Sequence, residues 1–413
     1  FLLMFASGLL SVQLAALIVG IVALTKIVLI LRKKFKKPLV FTRRVWRIYS
    51  VTAVVALGIS LAAVLCLGGK EKVEGLYNGS ALALGIMVFC AIFSWAIVML
   101  AVTILRPVEA MINRRYYNEA RNILRSMPDL KIIGVTGSFG KTSTKHYLQR
   151  ILSESYETLM TPGSYNTTMG VIRTVREMMK PYTEVFICEM GAKQRGDVKE
   201  ICDLVNPDMG IVTAVGPMHL QTFKSIENVQ ATKFELVDSL PAGGLAVVND
   251  DFPYCASRKV DNVECLRYAV DNTNNADYRA EDIRYSPEGS VFTMVGPDGF
   301  RMQLKTRLVG ECNISNLMAA VIVALRLGVP EEKIRYAVGC IEQVEHRLSI
   351  RQTPGGITII DDAFNSNPSG SKMALDVLHA FEGEGKRIVV TPGMIELGDE
   401  QDRLNQELGR HIG

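Results

Sequence analysis

The chain has 413 residues, 48% of them hydrophobic, which exceeds one ordinary domain and leads us to expect two or three units. Its formal charge is only +4, and most of that excess sits in a single loop between apolar segments, so it points to membrane topology and anionic-lipid contact and excludes a nucleic-acid-binding surface. The eight cysteines form no CxxC pair, two of them, Cys66 and Cys90, lie inside apolar segments, and the rest are scattered as in a reducing compartment.

In chain order, Leu2 to Leu31, Tyr49 to Leu67 and Ala81 to Leu105 are long and nearly free of charge. An α-helix needs roughly 20 apolar residues to cross a bilayer, so the expectation is three transmembrane helices in residues 1–105. A cleavable signal peptide fits poorly, because the first run lacks a short basic start and two more runs follow it. Between the first two runs lie Arg32, Lys33, Lys34, Lys36, Lys37, Arg43, Arg44 and Arg47 with no acidic residue, whereas Lys70 to Tyr77 balances its charges. The positive-inside rule then puts the basic loop, and everything from about residue 106 onward, on the cytoplasmic side of a multi-pass inner-membrane protein. ATP is available on that side. The chain starts at Phe1 and stops at Gly413 soon after a new helix begins, so a fragment of a longer protein is expected.

Residues 106–129 carry Ile112, Tyr116, Ala120, Ile123, Leu124 and Met127 at helical spacing with arginines between them. They read as an amphipathic connector at the membrane face or, equally, as a packing helix. Beyond it, apolar β-rich runs at Lys131 to Val135, Val185 to Glu189, Gly210 to Val215 and Leu245 to Val248 alternate with helical ones. This predicts an α/β fold with a mostly parallel sheet covered on both faces, filling residues 130–345. A smaller, incomplete α/β unit is expected over 346–413, with a strand at Ile357 to Asp361, a helix from about Ser369 to Phe381 and a strand at Arg387 to Thr391.

The most telling stretch is Gly134 to Lys145, GVTGSFGKTSTK, a glycine loop ending in Gly-Lys-Thr between a strand and a helix. Gly137 and Gly140 allow tight turns, and the following helix would aim its N-terminal amides at phosphate. Gly137, Ser138, Gly140, Lys141, Thr142 and Ser143 are therefore candidate nucleotide contacts, with Lys141 on the β and γ phosphates and the Thr142 hydroxyl on magnesium. The pattern GxxxxGK[ST] is not met: Val135 stands where its first glycine belongs, and Gly134 comes one position too early.

Three further residues are bland one by one. Glu189 ends an apolar strand at the edge where ligands of open α/β sheets gather, and it could hold magnesium; alone, a strand-end Glu more often serves as a structural hydrogen-bonding group. His219 in VGPMHL would ordinarily be a satisfied loop residue, and Lys233 in VQATKFEL, on a helix beginning near Ser225, a solvated lysine.

Together these positions resemble the Mur ligase family, ATP-dependent amide-forming enzymes of peptidoglycan precursor synthesis, and within it the branch that adds D-alanyl-D-alanine to a muramoyl tripeptide. The resemblance covers about residues 131 to 413. TGSFGKTSTK matches the family's TGxxGKT form, and TPGSYNTTMGV, EMGAKQRGD, NPDMGIVTAVGPMHL, LPAGGLAVVND, GECNISNLMAA, EHRLSI, DDAFNSNPSG and MIELGDE follow in the family's order. It implies that a substrate carboxylate attacks the γ-phosphate of ATP and that an amino-acid or dipeptide amine displaces phosphate from the acyl phosphate. It further implies that Lys141 binds phosphate, that Thr142 and Glu189 bind one magnesium ion, and that His219 helps bind a second. Lys233 matches a lysine used as a carbamate. Asn313 and Asn316 match a pair that meets the nucleotide base, Arg347 a phosphate-contacting arginine at the domain join, Asp362 an acidic residue near ribose or metal, and Asn166 a residue on the acceptor side.

Two departures stand out. Cys312 replaces the usual histidine before Asn313, and membrane segments fill the place of the domain that grips the uridine nucleotide. The muramoyl-peptide-like carboxylate substrate is therefore expected to be membrane-bound, as a lipid-linked precursor would be, or presented by a membrane partner. The alternatives are another ligase of this superfamily, building poly-amino-acid or folate tails, and a membrane-tethered ATP-binding scaffold or sensor. A transport ATPase is disfavoured by the lack of an LSGGQ-type signature.

Overall fold

The computed structural model describes residues 40–67 and 93–412, except 219, 273–274, 287–288, 345–347, 363–367, 381–384 and 396, with a few isolated positions elsewhere. By its internal contacts the chain divides into Phe1–Arg114 and Arg115–Gly413.

In the first unit, helix α1 (Arg43–Leu67) contains the expected second span. Helix α2 (Ser94–Arg125) takes in the end of the third span, and most of that span's earlier residues lie outside the described residues. These two helices are long and apolar enough to cross a membrane. The expected first span, Leu2 to Leu31, and the connection Lys70 to Tyr77 also fall outside the described residues. Arg47 donates to Glu109 at 2.8 Å, and Arg44 lies 3.6 Å from the same carboxylate, tying the start of α1 to α2 beyond Leu105.

The connector is not a separate element. It continues α2, which runs on past Pro107 without a break. Of the two readings of 106–129, the packing helix is the one its distal part adopts: Ala120 and Leu124 are buried with Leu130, Ile132 and Val175, and the Arg176 guanidinium lies 3.9 Å from the centroid of the Tyr116 ring.

The second unit is built on a nine-stranded sheet in the order β2-β3-β1-β4-β5-β6-β7-β8-β9. Its elements are β1 (Lys131–Thr136), α3 (Lys141–Leu152), β2 (Thr158–Met160), α4 (Thr168–Met178), β3 (Val185–Glu189), α5 (Asp197–Val205), β4 (Met209–Val212), α6 (Ile226–Asp238), β5 (Leu245–Asn249), β6 (Glu264–Ala269), β7 (Tyr278–Ser286), β8 (Gly289–Val295), β9 (Arg301–Thr306), α7 (Glu311–Arg326) and α8 (Glu331–Gly339). Strands β2 to β7 pair in parallel, and β7, β8 and β9 pair antiparallel. Side chains alternate across the sheet as strand geometry requires. Ile133, Val135, Ile187 and Val247 face a core shared with Leu148 of α3 and Leu317 of α7, while Ile132, Phe186 and Cys188 face α4 and α5. Helix α7 is buried along most of its length, which is why its apolar residues show no single stripe.

The remaining chain forms a two-stranded antiparallel sheet of β10 (Ser349–Gln352) and β11 (Thr358–Asp361), then α9 (Pro368–Ala380) and α10 (Gln401–Ile412). The strand expected at Arg387 to Thr391 does not form. The segment has the right composition but pairs with no described strand, and Val390 is 93% exposed.

The order of strands fixes where the site lies. After β1 the chain moves outward to β2, returns through β3, and then crosses to β4 on the other side of β1. The carboxyl ends of β1, β3 and β4 therefore open a crevice at the topological switch point, and the glycine loop, Glu189 and Thr213 all sit at those ends.

Candidate active site

The loop between β1 and α3 is shaped by close approach to the segment after β4. Gly137 has φ +148°, and a Cβ there would meet the Thr213 hydroxyl oxygen at 2.1 Å and the Ala214 nitrogen at 2.9 Å. Gly140 has φ +78°, and its Cβ would meet Asn316 Oδ1 at 2.2 Å. The Ser138 amide donates to Ala214 at 2.7 Å, the Ser138 hydroxyl donates to the Gly216 carbonyl at 3.0 Å, and the Thr213 hydroxyl donates to the carbonyl of Phe139. These bonds explain why β4 ends at Val212 and not at the expected Val215: residues 213–216 leave the sheet to hold the loop.

The early glycine has a different task. Gly134 lies inside β1, paired with Cys188 and Gly210, and a Cβ there would stand 2.5 Å from Leu236 of α6. It lets α6 approach the sheet and takes no part in the loop. Replacing Gly137 with Ala is expected to abolish nucleotide binding while leaving a folded protein, checked with a fluorescent ATP analogue and far-UV circular dichroism; retained affinity would contradict the loop geometry.

Lys141 opens α3, with its ammonium donating to the Gly137 carbonyl at 2.7 Å and to Ser138 at 3.2 Å. The Thr142 hydroxyl lies 3.3 Å and 3.2 Å from the two oxygens of Glu189. Asn166 donates its side-chain amide to Glu189 Oε1 at 3.1 Å. On the other oxygen, Lys145 Nζ stands 3.0 Å from Oε2, with both side chains essentially excluded from solvent. Burial alone would raise the Glu189 pKa, but Lys145 and Lys141 outweigh it and hold the carboxyl below its ordinary 4.5. A lowered carboxyl pKa contributes stability that is present at neutral pH and lost as pH falls through the folded value. The pair therefore supports the fold above about pH 4.5 and fails in acid.

Lys233 is buried in α6, its Nζ 5.9 Å from the centre of the Phe223 ring. Burial, reinforced by the charge of Lys141, lowers its pKa from 10.5 to about 7, so much of it is neutral at physiological pH. The unfolded chain then binds one more proton than the native state between about pH 7 and 10.5, and stability rises with pH across that window. In carbon-dioxide-free buffer the melting temperature is expected to climb between pH 7 and 10 by more than in Lys233→Met; parallel profiles would contradict the buried, uncharged lysine.

Asn316 accepts from the Thr144 hydroxyl at 3.2 Å, over the loop. Asn313 is buried, accepting from Tyr147 at 2.7 Å and donating to the Val309 carbonyl at 2.8 Å, so it joins α7 to α3. The neighbouring Cys312 thiol is pushed up to about 12 by burial and the charge of Asp362. Asp362 accepts from the Leu348 amide at 3.1 Å. Ser143 is buried in α3. The predicted site residues His219 and Arg347 lie outside the described residues. Lys145 escaped the sequence reading as a site residue. Its signal was a lysine sharing the helix face of Leu148 and Leu152, where an unpaired charge is costly.

The structure thus gathers Thr142, Asn166 and Lys145 onto the Glu189 carboxylate, with Lys141 bonded to the loop carbonyls and its charge felt by both Glu189 and the buried Lys233. The glycine cradle fits phosphate, and the converging hydroxyl and carboxylate oxygens fit a hard divalent cation. Fold and site have the form of a phosphate-binding loop at the switch point of a mostly parallel sheet. Residues 135–324 match the family described as Mur ligase middle domain. The chain is 30% identical over 282 residues to UDP-N-acetylmuramoyl-tripeptide--D-alanyl-D-alanine ligase of Bacillus subtilis, covering 68% of this chain and 60% of that protein. To the enzyme of the same name from Escherichia coli it is 29% identical over 303 residues, covering 72% and 65%. Among solved structures it resembles MurF from Acinetobacter baumannii, with a TM-score of 0.67 and 27% identity over 73% of this chain and 65% of that one. It also resembles MurF ligase from Thermotoga maritima in complex with ADP, with a TM-score of 0.65 and 25% identity over 73% and 68%. Over residues 135–324 the chain is thus similar to the Mur ligase middle domain, and over its wider matched length to enzymes of the MurF name. The chain spans between 60% and 65% of the length of these two curated relatives.

Proposed function

We propose that this protein is an ATP-dependent amide-bond-forming ligase of peptidoglycan precursor synthesis, joining D-alanyl-D-alanine or a similar amine to a muramoyl peptide. The observation that carries this reading is the convergence of Thr142 and Glu189 at the mouth of the loop that presents Lys141. A substrate carboxylate oxygen attacks the γ-phosphorus of ATP, the bond to ADP breaks, and an acyl phosphate results. The amine nitrogen then attacks the acyl carbon, phosphate leaves, and the nitrogen gives up a proton to yield the amide. Lys141 and the loop amides hold the phosphates in line, work that is mainly positioning and charge neutralisation. Thr142 and Glu189 would hold one magnesium ion, and His219 would contribute to a second; the metal supplies positive charge against the phosphate oxygens.

Lys233 would act as a carbamate, which requires a neutral amine to combine with carbon dioxide, and its pKa of about 7 supports that chemistry. Asn316 would face the base, with Asn313 placing α7 behind it through Tyr147 and the Val309 carbonyl, and Asp362 would face the ribose or metal. Arg347 would contact phosphate from beyond the join, so Arg347→Ala is expected to reduce turnover more than ATP binding; equal loss of both would contradict that role.

We further propose that residues 1–105 anchor the enzyme in the inner membrane with its ligase domains in the cytoplasm. Supporting this are the two long apolar helices, the Arg47–Glu109 pair at the end of α1 that carries the basic residues, and the neighbouring rings of Phe41, Trp46 and Tyr49, tilted and edge-on to one another, the composition of a headgroup-level belt. The carboxylate substrate would then be lipid-linked or presented at the membrane. Screening solubilised lipid-linked precursor against soluble UDP-muramoyl peptides, each with candidate amines and product mass measured, tests both parts. An amide product supports the ligase, and turnover restricted to the soluble form rejects the lipid-linked substrate.

A further inference from the structure

We propose that Lys145 is a positioning residue that fixes the segment 161–166 against Glu189 and thereby sets the place of the carboxylate substrate, an inference that rests on the ligase reading above. Lys145 is wholly buried, one turn along α3 from Lys141. Its ammonium has three protons and three acceptors: the Thr161 carbonyl at 2.8 Å, the Gly163 carbonyl at 2.8 Å and Glu189 Oε2 at 3.0 Å. Neutralising Glu189 needs only the last of these. The other two go to the backbone of a single segment, and an ammonium spent in that way holds a loop.

The same segment is stitched to β3 from its own side. The Thr161 hydroxyl accepts from the Glu189 amide at 3.1 Å, the Asn166 carbonyl accepts from Gly191 at 2.7 Å, and the Asn166 amide reaches Glu189 Oε1 at 3.1 Å. One helix therefore carries, a turn apart, the lysine at the phosphate loop and the lysine that holds the loop opposite. The carboxylate that attacks the γ-phosphorus must enter between those two features, so the bonds made by Lys145 determine its distance from the phosphate. Because a displacement of about 1 Å in a reacting group costs up to about a hundredfold in rate, a fixed loop has chemical value beyond stability.

The test is Lys145→Met, which keeps length and removes charge and donors. With soluble UDP-muramoyl tripeptide as the probe, KM for the tripeptide is expected to rise about tenfold or more while KM for MgATP stays within about twofold. Amide hydrogen exchange should accelerate more in 161–166 than across the rest of the sheet, which shares only the loss of the buried pair. Equal changes in the two KM values, or unaltered exchange in 161–166, would overturn the proposal. Should Lys145→Met not fold, Lys145→Gln, which retains an amide donor, is expected to show the same split in smaller degree, and a uniform loss in that variant would overturn it. If the wild-type protein ligates no acceptor, the ligase reading fails and the substrate-placing role of Lys145 with it, whereas the exchange measurement still decides whether Lys145 holds the loop.

Discussion

Replacing Glu189 with Ala is expected to destabilise the second unit by about 3–5 kcal/mol, because it strands the buried Lys145 ammonium with only two carbonyls for company. The pair looks modest as a hydrogen-bond count, but its asymmetry is large. Two paired charges in a dry site offset one another, whereas one alone pays its whole desolvation cost. In a thermal melt this appears as a fall of roughly 10 °C or more. Glu189→Ala should also abolish turnover, since the same carboxylate faces the Thr142 hydroxyl. Removing both charges in Lys145→Met/Glu189→Leu should recover much of the stability and none of the activity. A Glu189→Ala protein that melts with the wild type would show that Lys145 is not relying on its partner.

Removing the Lys233 side chain is expected to lower turnover by at least about a hundredfold, the scale set by loss of one charged group that stabilises a reacting phosphate. The protein should remain folded, because Lys233→Ala removes a lysine whose charged form burial already disfavours. A carbamate makes a second demand that an ordinary amine does not: acetate or formate, small enough to enter the space left by the side chain, should restore part of the lost rate. Full activity in Lys233→Ala, or no recovery with any small carboxylate, would contradict the carbamate.

Much of this arrangement is legible before any coordinates. The P-loop strand, Val185 to Glu189 and Leu245 to Val248 stand within a residue of where their β-branched runs place them, because buried parallel strands are continuous apolar segments with sharp ends. Helix α6 starts at Ile226, next to the Ser225 where a helix was expected to begin, and Ser225 caps it by accepting from the Asn228 amide. The antiparallel extension through β8 and β9 was less visible, although Pro297, Asp298 and Gly299 mark its turn, since the parallel pattern dominates the rest of the sheet. Arg387 to Thr391 shows the converse: composition suits a strand, but pairing depends on a neighbour that local sequence does not supply. In the site, the turn between β1 and α3 could be read from Gly137, Gly140 and the Gly-Lys-Thr that opens the helix. Lys145 could not be read as the anchor of 161–166, because a lysine on an apolar face carries no local sign of which distant carbonyls it will meet.

The ligase claim is tested most directly by ADP release from the purified, detergent-solubilised protein, measured with MgATP and soluble UDP-muramoyl tripeptide, with and without D-alanyl-D-alanine. The account predicts ADP release that depends on both substrates, falls to background in Lys141→Ala, and is matched mole for mole by an amide product in the mass spectrum. Nucleotide binding with no release stimulated by the amine, across the soluble and lipid-linked acceptors alike, would contradict it and mark the protein as an ATP-binding sensor or scaffold.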